Sequence, residues 1–180
     1  MKILMIACIS SNRAIGKDNK LLFHIKEDMA FFKRMTMGKV VIMGRKNWES
    51  IPTKFRPLPG RTNIILTRQK GYDASKDLLP LSEEIQKTIL VCTSLADVET
   101  TITKLQEASV IEEVFVIGGS EIYQLFLDYV DTVYLSIVDQ EVDADSFFPL
   151  LDSQQWIHHQ IEDYPDSSIP FRIEEWRRKL

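Results

Sequence analysis

The chain has 180 residues, 44% of them hydrophobic and 27% charged, which is the size and composition of one globular domain with its own core. No apolar stretch approaches the roughly 20 residues that a membrane-spanning helix needs, so the sequence argues against an integral membrane protein. The net charge of −4 is uneven: residues 33–70 hold ten Lys or Arg and one acid, Glu49, and carry +9, while the remainder carries −13.

The basic segment predicts an anionic ligand, because a concentrated positive field attracts one. The overall acidity favours a small polyanion over a nucleic acid. A solvated basic surface without a ligand is the alternative.

The N-terminal half begins with an apolar run, residues 3–9, that leads into polar residues without a cleavage site. We therefore predict a buried strand and not a secretory signal. Further elements are predicted in this order: a polar connection with one glycine over 10–23, a helix over 25–36, a strand over 40–43, a short helix over 45–51, a proline-rich loop over 52–60 and a strand over 63–67.

The C-terminal half starts with an irregular segment, residues 71–87. The predicted elements after it are a strand over 89–92, a helix over 95–107 capped by Ser94, a strand over 114–117, a helix that follows Gly118-Gly119 and reaches 127, a strand over 133–138 and a hairpin of 156–161 with 171–176 joined by 165–170. Strands that alternate with helices predict an α/β fold, a single domain over residues 1–180. Its mostly parallel sheet has helices on both faces and an antiparallel hairpin at the C-terminal end.

The cysteines and histidines bear on disulfide bonding, the cellular compartment and metal binding. Cys8 and Cys92 both lie in apolar runs, so we expect no disulfide framework and a reducing, cytoplasmic compartment. His24 stands alone, and His158 and His159 would point to opposite faces of a strand, so we expect no metal site.

Asp28 is the first candidate functional residue. At 100° per residue it lies on the apolar face of the predicted helix, between Phe32 and Met35. A carboxylate there must be paired, hydrated or protonated, and partial burial would raise its pKa. Either Asp28 only favours the first helical turn, or it holds a cationic or amidine-like ligand in a pocket.

Cations follow two predicted strands. Arg45 and Lys46 lie in the first turn of a helix, and Arg68 comes directly after a strand end. Ligands of α/β sheets bind beyond the carboxyl ends of strands, so these residues suit a phosphate-bearing ligand, with ordinary surface cations as the alternative.

The roles of the glycine pair and of Ser136 have two alternatives each on the residues alone. Gly118-Gly119 would let backbone approach a ligand or simply form a tight turn, and the full glycine-rich dinucleotide fingerprint is absent. Ser136 is the lone polar residue of an apolar strand, and its hydroxyl needs a partner, either local backbone or a ligand.

Six segments together resemble the dihydrofolate reductase family, in the same order and nearly end to end. They read IACISSNRAIGKDN, EDMAFFKRMT, VIMGRKNWESI, RPLPGRTNIILTR, VIGGSEIY and DADSFFP. The resemblance implies NADPH as cofactor and hydride transfer to C6 of 7,8-dihydrofolate, which gives tetrahydrofolate for one-carbon metabolism. It also implies a cytoplasmic monomer without nucleic-acid or membrane partners, with antifolates as inhibitors.

The resemblance also implies residue roles. Asp28 resembles the acid that grips the pterin, and Phe23 and Ser136 complete the expected catalytic set. Arg61 resembles the clamp on the glutamate tail of the substrate. The expected substrate-binding residues are Ile6, Ala7, Cys8, Met29, Phe32, Ile51, Leu58, Arg61, Ile117 and Tyr123. The expected cofactor-binding residues are Ala7, Ile15, Gly16, Gly44, Arg45, Lys46, Asn47, Thr67, Arg68, Gly118, Gly119, Ser120, Glu121, Ile122 and Tyr123.

The loop over residues 10–23 resembles the family's mobile loop, and Asp145 resembles the acid on a neighbouring loop that bonds to it. The glycine pair resembles one that this family joins by a cis peptide. The sequence departs from the family pattern at four places. Leu22-Phe23 replaces Pro-Trp, Asn47 and Ser136 each replace Thr, and Glu121 supplies no cation. These changes concern rate and antifolate affinity more than the class of reaction.

Two other functions compete with this interpretation. One is a reductase of the same fold, as in riboflavin synthesis, but Asp28 together with Arg61 argues against a substrate without a glutamate tail. The other is a binding protein that holds a nucleotide or RNA on its basic segment without catalysis.

Overall fold

The computed structural model describes residues 1–179. Its strands are β1 (Lys2–Ser10), β2 (Ala14–Lys17), β3 (Lys20–Leu21), β4 (Val40–Gly44), β5 (Thr62–Leu66), β6 (Ile89–Cys92), β7 (Glu113–Val116), β8 (Thr132–Val138), β9 (Ser146–Phe147), β10 (Trp156–Tyr164) and β11 (Phe171–Arg178). Its helices are α1 (Lys26–Thr36), α2 (Arg45–Ser50), α3 (Glu83–Gln86), α4 (Leu95–Ala108) and α5 (Ser120–Phe126), with short 3₁₀ turns at Thr53–Phe55 and Leu127–Tyr129. No helix within residues 1–179 is long and apolar enough to cross a bilayer.

Eight strands form one sheet in the order β10-β11-β8-β1-β7-β4-β5-β6. The six strands from β8 to β6 are parallel, while β11 runs antiparallel to both β8 and β10. The predicted α/β class, the mostly parallel sheet and the antiparallel C-terminal hairpin are confirmed. The physical reason is visible in β4, whose five residues are all buried because helices cover both faces of the sheet.

Helices cover the two faces of this sheet. Phe31 of α1 and Trp48 of α2 pack on one face, with Leu4 and Ile6 of β1. On the other face α4 and α5 contribute side chains such as Ile102 and Phe126. The loops at the carboxyl ends of the parallel strands stay free to form a site.

Helix α1 differs from its predicted orientation. Ile25 is the N-cap, with extended backbone, so the helix starts one residue later than predicted. Its most buried apolar side chain is Phe31, 2% exposed, whereas Met29 is 60% exposed. The buried face of α1 therefore includes Phe31, which the predicted apolar face did not include. Asp28 remains on the inner side of the helix, whereas Met29 lies on its outer side.

The polar connection over residues 10–23 contains structure that the sequence pattern does not predict. Its strands β2 and β3 form a second, three-stranded sheet with β9, in which Gly16 pairs with Ser146. The partner lies about 130 residues away in the sequence, so no local periodicity signals the pairing. The segment over residues 71–87 is irregular as predicted, apart from α3, whose first turn is capped by Ser82.

Candidate active site

A cleft of about 1790 Å³ opens along the carboxyl ends of the parallel strands. The pocket of a single drug-sized ligand measures about 300–1,000 Å³, so this cleft has room for two ligands that meet inside it. Its walls come from β1, α1, β4, α2, β5, the start of α4 and the segment from Ile117 into α5. This position agrees with the rule that ligands of α/β sheets bind beyond the strand ends.

Asp28 lies in the wall of this cleft, in the first turn of α1. Burial raises the pKa of Asp28, and hydrogen bonding from the side chains of Ser136 and Cys8 offsets part of that rise. The neighbouring acid, Glu27, instead accepts a hydrogen bond from the Ser167 hydroxyl at 3.0 Å and does not line the cleft. Since two acids share the first turn but only one faces the cavity, helix stabilisation alone does not account for Asp28.

Ser136 lies behind the cleft wall and is only 1% exposed. It pairs in register with Cys8 on the adjacent strand, and the two side chains flank the Asp28 carboxylate. Within residues 1–179 the Ser136 hydroxyl has no partner in full hydrogen-bond geometry, yet it lies near enough to Asp28 to favour the charged carboxylate. Ser136 does not line the cleft itself, so it can act on a ligand only through Asp28.

Arg61 is held rigidly at one end of the cleft. It is 7% exposed, its Nε donates to the Pro59 carbonyl and its Nη1 to the Thr36 hydroxyl, both at 3.0 Å. Its guanidinium lies 5.8 Å from the centre of the Phe32 ring. Burial lowers the pKa of Arg61, but arginine remains charged, so this cation is preorganised for a carboxylate.

The expected substrate-binding residues all line the cleft. They are Ile6, Ala7, Cys8, Met29, Phe32, Ile51, Leu58, Arg61, Ile117 and Tyr123. Met29 contributes at the exposed rim, for the reason given for α1. Phe23 lies in the wall as well, half-buried, and it brings no hydrogen-bond donor.

The phosphate-suited cations lie together in another part of the same cleft. Arg45 and Lys46 begin α2 immediately after Gly44, and Arg68 comes two residues after the end of β5. Arg45 Nη1 pairs with Glu49 Oε2 at 3.0 Å, and Arg68 Nη2 lies 4.0 Å from Glu121 Oε2. The basic segment thus turns several of its cations towards one cavity and not towards solvent alone.

The two glycines of the pair, which a cis peptide joins, have different surroundings. Gly118 has φ +99°, lies outside the cleft wall, and accepts a hydrogen bond from the Gly44 amide at 2.8 Å. A Cβ on Gly118 would lie 2.7 Å from the Tyr123 ring, whose hydroxyl donates to the Ile6 carbonyl at 2.8 Å. Gly119 lines the cleft, and a Cβ there would meet no atom within 4 Å.

The remaining expected cofactor residues also line the cleft. They are Ile15, Gly16, Gly44, Asn47, Thr67, Ser120, Glu121 and Ile122. Asn47 has a structural role as well, since its Nδ2 donates to the Ile117 carbonyl at 2.9 Å. That bond joins α2 to the segment before the glycine pair, so Asn47, in place of the family's Thr, supplies a polar link here.

The loop over residues 10–23 is held over the cleft by the segment around β9. The Asp18 amide donates to Asp145 Oδ2 at 2.9 Å, and Lys17 forms an ion pair with Asp143. The expected contact between this loop and Asp145 is therefore present. Both contacts are exposed, so each stabilises the loop only slightly.

The cleft wall also contains residues that were not expected from the sequence. Thr93, Ser94 and Leu95 follow β6, and Gln69 follows Arg68. Because β6 runs parallel to β5, the strand-end rule that identified Arg68 would also have indicated residues 93–95. No cluster of three or more His, Cys, Asp or Glu suited to a metal occurs in the part of the chain that the structure describes.

Comparison with known proteins agrees with the geometry. Residues 2–178 match the family model for dihydrofolate reductase. The chain is 38% identical over 156 residues to the dihydrofolate reductase of Neisseria gonorrhoeae, covering 87% of this chain and 84% of that protein. It is 36% identical over 162 residues to the dihydrofolate reductase of Staphylococcus haemolyticus, covering 90% and 85%. The chain therefore belongs to the dihydrofolate reductase family, whose members are NADPH-dependent oxidoreductases.

Proposed function

We propose that the chain carries out its family's reaction in this cleft, hydride transfer from NADPH to C6 of 7,8-dihydrofolate, with Asp28 as the anchor of the pterin ring. The observation that carries this proposal is a partly desolvated carboxylate in the same cavity as a group of phosphate-suited cations. Neither feature alone would specify the reaction. Together they provide for a ligand with N–H donors and for a polyphosphate ligand that meet in one cleft.

The residues at the cationic end fit NADPH. Arg45, Lys46 and Arg68 offer three cations, and the open face of Gly119 lets a flat ligand approach the backbone. NADPH, when bound, supplies the hydride, while the protein supplies orientation and electrostatics. Tyr123 cannot move aside for it, because its buried hydroxyl is tied to the Ile6 carbonyl.

Asp28 would accept hydrogen bonds from the 2-amino group and N3 of the pterin. Ser136 and Cys8 favour its charged form, which is the form that accepts those bonds. Phe23 offers no N–H to hold a water beside this acid, so we assign delivery of a proton to N5 to water that enters the cleft.

Arg61 would bind the α-carboxylate of the glutamate tail. Its position is set by the Pro59 carbonyl, the Thr36 hydroxyl and the Phe32 ring, so little side-chain entropy is lost on binding. Closure of the loop over residues 10–23, held by Asp145, would exclude bulk water and align the two rings.

The decisive test is NADPH oxidation at 340 nm with dihydrofolate added or omitted, on the wild type, Asp28→Asn and Glu27→Gln. Glu27→Gln is the matched control, since it removes a charge from the same helical turn outside the cleft. We expect Asp28→Asn to lose turnover by orders of magnitude at neutral pH while it keeps its affinity for NADPH. We expect Glu27→Gln to remain active. Equal turnover in Asp28→Asn and the wild type would refute the assigned role.

We propose further that the whole chain acts as one domain and as a monomer in the cytoplasm, and that antifolates inhibit it. The free thiols of Cys8 and Cys92 are consistent with a reducing compartment. A carboxylate that binds the pterin would also bind a protonated diaminopyrimidine, because both present paired N–H donors to it. Sedimentation at micromolar concentration and inhibition by a diaminopyrimidine test these two points.

A further inference from the structure

Arg68 and Glu121 face each other at the cationic end of the cleft, on different segments of the chain. Arg68 follows β5, and Glu121 is the second residue of α5, just beyond the glycine pair. Arg68 Nη2 lies 4.0 Å from Glu121 Oε2, both residues line the cleft, and their side chains are 94% and 81% exposed. Each is therefore accessible to a ligand and only loosely held by the other.

Glu121 places a negative charge in a part of the cleft that is expected to bind phosphates. Within residues 1–179 the other acids in the cleft wall are Asp28, next to Ser136, and Asp145, which accepts from the Asp18 amide. Glu49 also pairs with a cleft cation, Arg45, but from the same helix and from outside the wall. Glu121 is thus the one acid of this described wall that lies beside a cation expected to meet phosphate.

We propose that Glu121 is a specificity-determining residue that weakens the binding of the polyanionic cofactor by competing with its phosphates for Arg68. This inference rests on the proposed NADPH function. In the free protein the Glu121 carboxylate occupies one side of the Arg68 guanidinium. A phosphate that binds Arg68 must displace that carboxylate and then remain near it, within the Debye length of about 8 Å at physiological ionic strength.

The expected effect is moderate because the pair is exposed. Removal of the Glu121 charge should tighten the binding of NADPH by about 2- to 5-fold, the range that corresponds to an exposed ion pair. The gain should appear in the association rate as well as in the dissociation rate, since an exposed charge acts on the approach of a polyanion. It should also be larger for NADPH than for NADH, because NADPH carries one more phosphate.

The test measures Kd and dissociation rates for NADPH and NADH with wild type, Glu121→Gln and a control, Glu107→Gln. Glu107 is exposed near the far end of α4, about 18 Å along the helix from Leu95 in the cleft wall. We expect tighter NADPH binding only in Glu121→Gln, at unchanged melting temperature, and a smaller difference at 300 mM than at 50 mM salt. In an Arg68→Gln background the gain from Glu121→Gln should shrink.

Several results would overturn the role. Unchanged or weaker NADPH binding in Glu121→Gln, the same gain in Glu107→Gln, or an undiminished gain without Arg68 would each contradict competition for Arg68. If the wild type binds NADPH and the variants give one of these results, only the role of Glu121 is refuted and the proposed function stands. A wild type that binds no NADPH at all would overturn the proposed function, and the role of Glu121 with it.

Discussion

The glycine pair offers a matched experiment, because two adjacent glycines have opposite surroundings. In Gly118→Ala, the new methyl group would lie 2.7 Å from Tyr123 Cε2 and 2.9 Å from Cζ, at a backbone φ of +99°. Tyr123 cannot easily retreat, since it is 5% exposed and its hydroxyl is bonded to the Ile6 carbonyl. In Gly119→Ala, φ is −77° and the methyl group would meet no protein atom within 4 Å.

The magnitudes follow from these contacts. A non-glycine residue with positive φ costs about 1–2 kcal/mol, and overpacking of a rigid core group costs about 1–3 kcal/mol more. We therefore expect Gly118→Ala to lower the free energy of unfolding by about 2–5 kcal/mol, which for a chain of this size is a fall in melting temperature of roughly 5–15 °C. Gly119→Ala should change stability by no more than about 1 kcal/mol in either direction.

The affinity for NADPH should show the opposite order, with the larger effect in Gly119→Ala. The Gly119 methyl group would project into the cleft where the cofactor is expected to approach the backbone, so we expect the Kd for NADPH to rise by on the order of tenfold. Thermal and urea unfolding followed by circular dichroism give the stabilities, and quenching of tryptophan fluorescence gives the Kd.

Two results would refute this reasoning. Equal melting temperatures for wild type and Gly118→Ala would mean that Tyr123 yields to the methyl group. Unaltered NADPH binding by a folded Gly119→Ala would mean that the cofactor does not approach this face of the backbone.

Two further predictions concern the substrate end of the cleft. Burial raises the pKa of Asp28 in the folded chain above its ordinary value in the unfolded chain. At a pH between these two pKa values the folded chain binds more protons than the unfolded chain, so the contribution of Asp28 to stability falls as the pH rises. Asp28→Asn should therefore be more stable than wild type at pH 7, and the difference in the free energy of unfolding should narrow as the pH falls towards 4. Urea unfolding across this pH range measures the difference, and a wild type that is more stable than Asp28→Asn at pH 7 would contradict the prediction. Phe23→Trp should strengthen the binding of dihydrofolate or a diaminopyrimidine by about fivefold, the worth of one hydrogen bond to an ordered water; unchanged kinetics and affinity would mean that the site has compensated.

Local patterns in the sequence predict much of this fold. Continuous apolar runs such as β4 predict buried parallel strands, because only a sheet covered on both faces buries every residue of a strand. Ser94, followed by an amphipathic stretch, predicts the start of α4, and the Ser94 hydroxyl does accept from the Asp97 amide at 3.1 Å. The strand-end rule likewise predicts that Arg45 and Arg68 contribute to a binding site, and both line the cleft.

Other features depended on contacts between distant residues. The pairing of β2 with β9 joins residues about 130 positions apart, and the inward face of α1 was settled by Phe31, which packs on the sheet. The proximity of Ser136 to Asp28 was equally invisible in the sequence, since the two residues lie 108 positions apart and meet only because α1 packs beside β8 through Phe31 and Tyr134.

The amino-acid sequence by itself determined the order and type of the main elements, because propensity, periodicity and capping act over a few neighbouring residues. Its six motifs indicated the family by resemblance, and helical spacing and the strand-end rule indicated Asp28 and the cations of the cleft. Only the tertiary structure decided which side chain of α1 packs on the sheet, which glycine lines the cleft and which carboxylate lies beside Arg68. Those outcomes depend on distances between segments that are remote in the chain, and packing of the whole domain sets such distances.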